Sequence, residues 1–324
     1  MNTLPLLLKR EYWEHRGGFL WAPLWTAAVV VLLTISGIVI GEIVGARAHI
    51  QIGMQLNQAL AAVTPDDLRQ VGAALDGSLF VFASFVQIVL AFVLFFYLLG
   101  ALYDDRRDRS VLFWKSMPLT DTATVASKVL TAALIAPVFA FVITIAMHIA
   151  LLLLFGLVVL IHGGNPFTLI WEPVSPLRLW LQLLVLIPVN ALWALPAYGW
   201  LLLCSAFARS KPFLWAVVPP ILLGWLLFLQ SVTSLGHDGF DFRLWYWRDI
   251  VGRILFSVVP GSWAWHVPGG IHFDIGDRNR VALFNWGDIG HLLASPGLWI
   301  GAAAGVAMLL IATWLRARRI ETAS

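Results

Sequence analysis

Charge is what this sequence has least of. Only 12% of its 324 residues are Asp, Glu, Lys or Arg, 60% are hydrophobic, and the mean hydropathy is +0.84. Soluble domains carry about 25% charged residues, so a water-exposed surface over the whole chain is excluded. Cysteine is scarcer still: a single Cys204 leaves no internal disulfide framework and no cysteine metal cluster. The four lysines are Lys9, Lys115, Lys128 and Lys211, and none follows a glycine, so the Gly-Lys-Ser/Thr of a P-loop is missing. HExxH and GxSxG are missing too, which removes the common hydrolytic motifs. The net charge of +3 comes without a basic patch and gives no nucleic-acid reading.

What is present is long apolar runs. A membrane span needs about 20 largely apolar residues at ~1.5 Å per residue. Six such runs occur, at about 19–41, 79–103, 121–161, 177–207, 213–232 and 296–314. The expected fold is an all-α membrane protein, a single membrane domain over 1–324. In a six-span arrangement all four lysines, and thirteen of the 21 Lys and Arg, fall on the side of both termini. Cationic residues near span ends are retained on the cytoplasmic side, so both termini are expected there. Leu4–Leu8 is a short apolar run cut off by Lys9 and Arg10, so no cleavable signal is expected and the first span serves as its own anchor.

Outside the spans three helices are expected. The head LPLLLKREYWEHR places Leu4, Leu8 and Tyr12 on one face, as an interfacial helix does, and Gly17-Gly18 suggests a break after it. Thr64-Pro65-Asp66-Asp67 supplies an N-cap, a proline and first-turn acid for a short outer helix over 65–75. Trp247, Ile250, Val251, Ile254, Leu255 and Val258 keep helical spacing opposite Arg248, Asp249 and Arg253, which predicts an amphipathic outer helix over 247–259. Trp263, Trp265 and Trp286 are expected at headgroup level. Within the spans the larger polar side chains are few, chiefly Gln87, His148, Gln182, Asn190 and Gln230. Ion-driven transporters carry intramembrane acids or bases, so any energy source is expected outside the membrane. His148 reads as a hydrogen-bonded interior histidine. Pro137 and Pro219-Pro220 are expected to kink their spans.

The exception to the scarcity is LYDDRRDRSVLFWKSMPLTD at 102–121, with six successive charges from Asp104 to Arg109. A solvated, topology-setting turn accounts for the charges alone. Beyond them, Phe113, Trp114 and Met117 share a helical stripe, Pro118 ends that helix and Asp121 is placed to cap the next. An amphipathic helix held between two spans is suited to a groove on a partner. The rival reading is catalytic: Asp104, Asp105 and Asp108 spell DDxxD, a Mg²⁺-diphosphate motif in membrane-embedded prenyltransferases. Its usual second acidic motif has no counterpart on the same side, since Asp238/Asp241 and Asp274/Asp277 fall on the other.

This loop, with Ser110, Phe113, Trp114, Lys115, Ser116, Pro118, Ser127 and Lys128, resembles the corresponding region of bacterial exporter permeases of the type-2 ABC membrane family, and the head KREYWEHRGGFLWAP is similar to their start. The resemblance implies a non-catalytic permease subunit of the bacterial cytoplasmic (inner) membrane. Two copies, or this chain and a paralogue, would sit on two cytosolic ATPase subunits that carry the ATP and Mg, with no cofactor in this chain. It also implies a cytoplasmic coupling helix between spans two and three. Its expected ATPase contacts are Arg106, Arg107, Arg109, Phe113, Trp114, Lys115, Met117 and Pro118, and substrate contacts do not transfer. The remaining alternative is a permease-like subunit that transmits motion to another envelope protein through its outer helices.

Overall fold

The computed structural model describes residues 4–47, 64–108, 120–233, 242–266 and 286–318. Every regular element among them is helical: α1 (Leu4–Arg16), α2 (Ala22–Arg47), α3 (Pro65–Ala101), α4 (Tyr103–Arg107), α5 (Asp121–Leu130), α6 (Ala136–Ile161), α7 (Pro176–Trp193), α8 (Leu195–Phe207), α9 (Pro212–Thr233), α10 (Phe242–Trp245), α11 (Gly252–Phe256), α12 (Trp286–Ala294) and α13 (Pro296–Arg318). Six helical runs are long and apolar enough to cross a membrane, which makes this a multi-pass membrane protein. Exposed leucines and isoleucines such as Leu33, Leu226 and Ile300 suit helices solvated by lipid.

Local chemistry explains most boundaries. Thr64 caps α3 by accepting from the Asp67 amide, and the Asp67 carboxylate accepts from the Thr64 amide, a reciprocal box that satisfies two orphan donors. The helix it starts runs unbroken to Ala101, so the separate outer helix expected over 65–75 is the first turns of the second span. Gly72 lies within it where an added Cβ would sit 2.5 Å from the Pro173 carbonyl oxygen, so the glycine admits the segment around Pro173 and does not end the helix. The expected break at Gly17-Gly18 is a π-helical turn over Gly17–Trp21, preceded by a kink at His15. An added Cβ at Gly18 would meet Val93 Cγ1 at 2.7 Å, which makes this the point where the first span closes on the second.

The prolines are accommodated by rearranged hydrogen bonds. A π turn over Thr131–Ile135 precedes Pro137, which then sits in the first turn of α6, where no amide is needed. In α9, Pro220 cannot donate to the Ala216 carbonyl, and the indole Nε1 of Trp200 donates to that carbonyl instead at 3.0 Å. The fifth span therefore stays one helix. The run expected as a single fourth span, 177–207, is two helices meeting at Ala194, just before Pro196. The second of these, α8, packs more extensively on α13 than any other pair of the described helices does. There an added Cβ at Gly199 would lie 2.4 Å from the Gly305 carbonyl, and one at Gly305 would lie 2.4 Å from the Leu195 backbone. Small residues at membrane-helix crossings allow this approach, which supplies the packing that hydrophobicity cannot drive in lipid.

The outer helix expected over 247–259 differs in two respects. It runs from α10 through a π turn (Tyr246–Val251) and ends with α11 at Phe256. The wider turn shifts the helical phase, so Arg253, expected on the polar face, is buried, while Trp247 is partly exposed. Of the three tryptophans expected at headgroup level, Trp265 and Trp286 are exposed but Trp263 is buried in the core.

Candidate functional site: a buried ion-pair network at the end of the bundle

The roots of the 102–121 loop, the first helix and the last helix meet at one end of the bundle, here called the terminal end. In α1 the buried side chains are Leu7 and Glu11, with Leu4, Leu8 and Tyr12 beside them, so the stripe expected to be apolar has an acid at its centre. Tyr12 stacks on Phe139 with ring centroids 4.7 Å apart, and His15 and Phe19 both pack edge-on to Tyr97, which fixes α1 against the spans.

Glu11 is fully buried and Lys128 is 1% exposed. The Lys128 Nζ donates to Glu11 Oε1 at 3.1 Å, and the Tyr97 hydroxyl donates to Glu11 Oε2 at 2.8 Å. Lys128 Nζ also lies 3.6 Å from Asp105 Oδ2, an oxygen that accepts from Arg316 Nη1 at 2.9 Å. Arg316 Nε in turn donates to Asp121 Oδ1 at 3.1 Å. At the rim, Arg10 Nη2 approaches Asp105 Oδ1 at 3.9 Å while its Nε holds Glu14 at 2.8 Å. The buried centre is balanced, Glu11 and Asp105 against Lys128 and Arg316. An isolated charge here would carry a desolvation cost of several kcal/mol, so each of the four requires the others.

A second set of bonds holds the loop's first half. The Ser205 hydroxyl accepts from the amides of Leu102 and Tyr103 at 3.0 and 2.9 Å, where α3 gives way to α4. Arg106 Nη2 donates to the carbonyls of Ser205 and Ala208 at 2.6 and 2.9 Å, placing a cation on the C-terminus of α8. Arg107 is exposed beside Asp108. Of the expected partner contacts, then, Arg106 faces its own chain and Arg107 faces outward. Arg109, Phe113, Trp114, Lys115, Met117 and Pro118, and with them the coupling helix, lie outside the described residues.

The DDxxD carboxylates do not converge. Asp105 points into the network, whereas Asp104 and Asp108 are exposed. Among the described residues the one group of acids and histidines close enough to share an ion is Glu11, Glu14 and His15, and its Glu11 is already held by Lys128 and Tyr97.

His148 is the hydrogen-bonded interior histidine anticipated from the sequence. Its Nδ1 accepts from Trp180 Nε1 at 3.1 Å, so Nε2 carries the proton and donates to the Leu79 carbonyl at 2.9 Å.

The network itself went unread in the sequence. The hydrogen bonds of its buried centre join residues 86 to 211 positions apart along the chain. The available signal was Lys128, which lies among Val125, Val129 and Ala132 on the third span with no acid three or four residues away on its own helix. Comparison with protein families, curated proteins and solved structures finds no match to this chain.

Proposed function

We propose that this chain is the permease subunit of an ATP-driven transporter of the bacterial cytoplasmic membrane, with the terminal end facing the cytoplasm. Two copies, or this chain and a paralogue, would stand on two ATPase subunits that carry ATP and Mg. One observation carries the proposal: the buried ion pairs tie both roots of the 102–121 loop, through Asp105 and through Asp121 and Lys128, to α1 and to the end of α13. A push on that loop would reach the first, third and last spans together, as coupling from an external motor requires. The placement of charge at the end of the bundle, with the large polar side chains inside the spans few, also suits an energy source outside the membrane.

The enzyme alternative requires Asp104, Asp105 and Asp108 to act as one metal site. Their separation into one buried, ion-paired carboxylate and two exposed ones weighs against it. The test is direct. Phe113→Ala combined with Trp114→Ala is expected to abolish co-purification of a cytosolic P-loop ATPase, or to uncouple its hydrolysis from transport. Buried aromatic anchors each carry about 2 kcal/mol or more of such interfaces. Wild-type coupling in the double variant would refute the permease reading. Metal-dependent lipid turnover lost in Asp105→Asn would establish the enzyme instead.

A further inference from the structure

At the opposite, distal end, a cavity of about 620 Å³ lies between α3, α7 and the 248–266 segment. Small-molecule sites span about 300–1,000 Å³. Most of the wall is apolar, including Phe80, Ala83, Leu183 and Leu186, and the polar groups gather around Arg248, Ser262 and His266. Trp265 and Phe256, 84% and 61% exposed, stand at its rim. A smaller void of about 40 Å³ shares Gln87, Leu183, Leu186 and Pro260 with it. That void is lined by Asn190, 7% exposed, whose Oδ1 has no hydrogen-bond partner among the described residues.

Among the described residues the polar end carries excess positive charge. Arg253 is 7% exposed, its guanidinium 4.0 Å from the centroid of the Trp193 ring that walls the cavity. Its Nη1 donates to the Gly297 carbonyl, while Nε and Nη2 have no acceptor among the described residues. Gly301 leaves the room it occupies, since an added Cβ there would overlap the guanidinium. Among the described residues the acid beside them is Asp249, already 3.1 Å from Arg248 Nε, so these two guanidiniums share one carboxylate. His266 stacks 4.9 Å from Trp193 and donates from Nε2 to the Arg248 carbonyl at 3.2 Å. Burial holds its pKa below the usual range, so near neutral pH it is uncharged and its Nδ1 is an acceptor, again without a partner among the described residues.

We propose that this cavity binds a monoanionic, single-tailed amphiphile, its apolar body along Phe80, Ala83, Leu183 and Leu186 and its acidic head at the end marked by Arg248, Ser262 and His266. One negative charge is what the local surplus among the described residues takes, and a hydroxyl carried beside it would supply the donor that His266 Nδ1 lacks. The wide apolar wall excludes a small hydrophilic ion as the occupant. The inference does not rest on the permease reading, because binding is a property of this chain alone.

The test uses the full chain in nanodiscs of zwitterionic phosphatidylcholine, with palmitic acid carrying a mid-chain diazirine as probe. Saturable photolabelling is expected at Phe80, Leu183 and Leu186. Unlabelled palmitate should compete roughly tenfold better than its methyl ester or the matching amine, the discrimination a charge-assisted hydrogen bond provides. Arg248→Gln should narrow that ratio, and Leu183→Trp should remove the cavity labelling while exposed Leu222 and Leu226 are labelled as before. Equal competition by the ester or the amine, or labelling confined to Leu222 and Leu226, would overturn the proposal, and the ligand comparison stands even where a variant fails to fold. Native mass spectrometry of the chain without added probe distinguishes the source. An acidic single-tailed lipid retained from the bilayer, or none until palmitate is added, both support the site, whereas occupancy by neutral lipid overturns it.

Discussion

The two ends of the bundle treat buried charge in opposite ways. At the terminal end Glu11, Asp105, Lys128 and Arg316 neutralise one another through contacts of 2.9 to 3.6 Å. At the distal end Arg253 is as deeply buried, yet two of its nitrogens have no acceptor among the described residues and its acid is shared with Arg248. A closed network makes a rigid joint, because moving any member exposes another to an uncompensated charge. An open one leaves favourable interactions for something that arrives later. The difference is what the proposed roles call for, a joint that transmits motion at one end and a ligand site at the other.

The sharpest way to break the comparison is Lys128→Met, which removes the cation that Glu11 and Asp105 share and leaves buried Glu11 with the Tyr97 hydroxyl alone of its two hydrogen-bond donors. Removing one partner of a buried pair costs about 3–5 kcal/mol, and tryptophan fluorescence during unfolding in detergent would read it. Glu11→Gln should cost less, since the Tyr97 hydroxyl keeps an acceptor and Lys128 keeps Asp105. Joining Glu11→Leu to Lys128→Met should recover much of the loss. At the distal end Arg253→Met is expected to cost less than Lys128→Met. It forfeits a cation–π contact of about 2 kcal/mol but removes a charge whose own partners are incomplete. Equal losses would mean that the distal arginine is as closed structurally as the terminal network, and the distinction would fall.

How much of this was legible in the sequence follows from the range of the interactions. The number of spans, the Thr64 cap and the role of His148 depend on hydropathy, on four adjacent residues and on a single buried side chain, and could be read directly, whereas the split of the 177–207 run at Ala194 could not. The separate helix over 65–75 was misjudged because a cap announces where a helix starts and says nothing of where it ends. Arg253 was assigned to the polar face because a constant helical period was assumed, and the π turn at Tyr246–Val251 changes that period. The joining of Glu11 to Lys128 and of Asp105 to Arg316 could not be inferred from one chain, since nothing in Lys128 says which of many distant acids will meet it. The polar end of the distal cavity was hidden for the same reason: Trp193 and Arg253 belong to segments that only folding brings together.

A smaller effect tests whether the bundle's middle is as firmly made as its ends. Trp200→Phe keeps the ring but loses the donor to the Ala216 carbonyl that Pro220 cannot serve. The expected cost is about 1 kcal/mol. Pro220→Ala restores a backbone donor to the same carbonyl, so Trp200→Phe made on that background should cost less. A double-mutant cycle reads the coupling directly, and additive losses would show that the indole is not the proline's substitute.

The smallest expected effect lies at the distal end between α2 and α6. His162 Nδ1 meets the Val158 carbonyl at 2.8 Å and its Nε2 meets Glu42 Oε1 at 3.2 Å, so both ring nitrogens face acceptors and the doubly protonated imidazolium suits the site best. The Val158 carbonyl, followed by the Glu42 carboxylate, raises the His162 pKa above its usual value of about 6.5. A pKa raised on folding contributes stability that is fully present below the unfolded value and is lost as pH rises through the folded one. The tie between the first and third spans should therefore hold in mild acid and loosen from just above pH 6.5 upward. Glu42 is 44% exposed, so salt screens the pair and the contribution is small. NMR titration of His162 should show a raised pKa that falls in Glu42→Gln but stays above the reference, because the first cause is the carbonyl. A return to the reference on losing Glu42 alone would assign the shift to the ion pair and leave the distal end tied by charge, as the terminal end is.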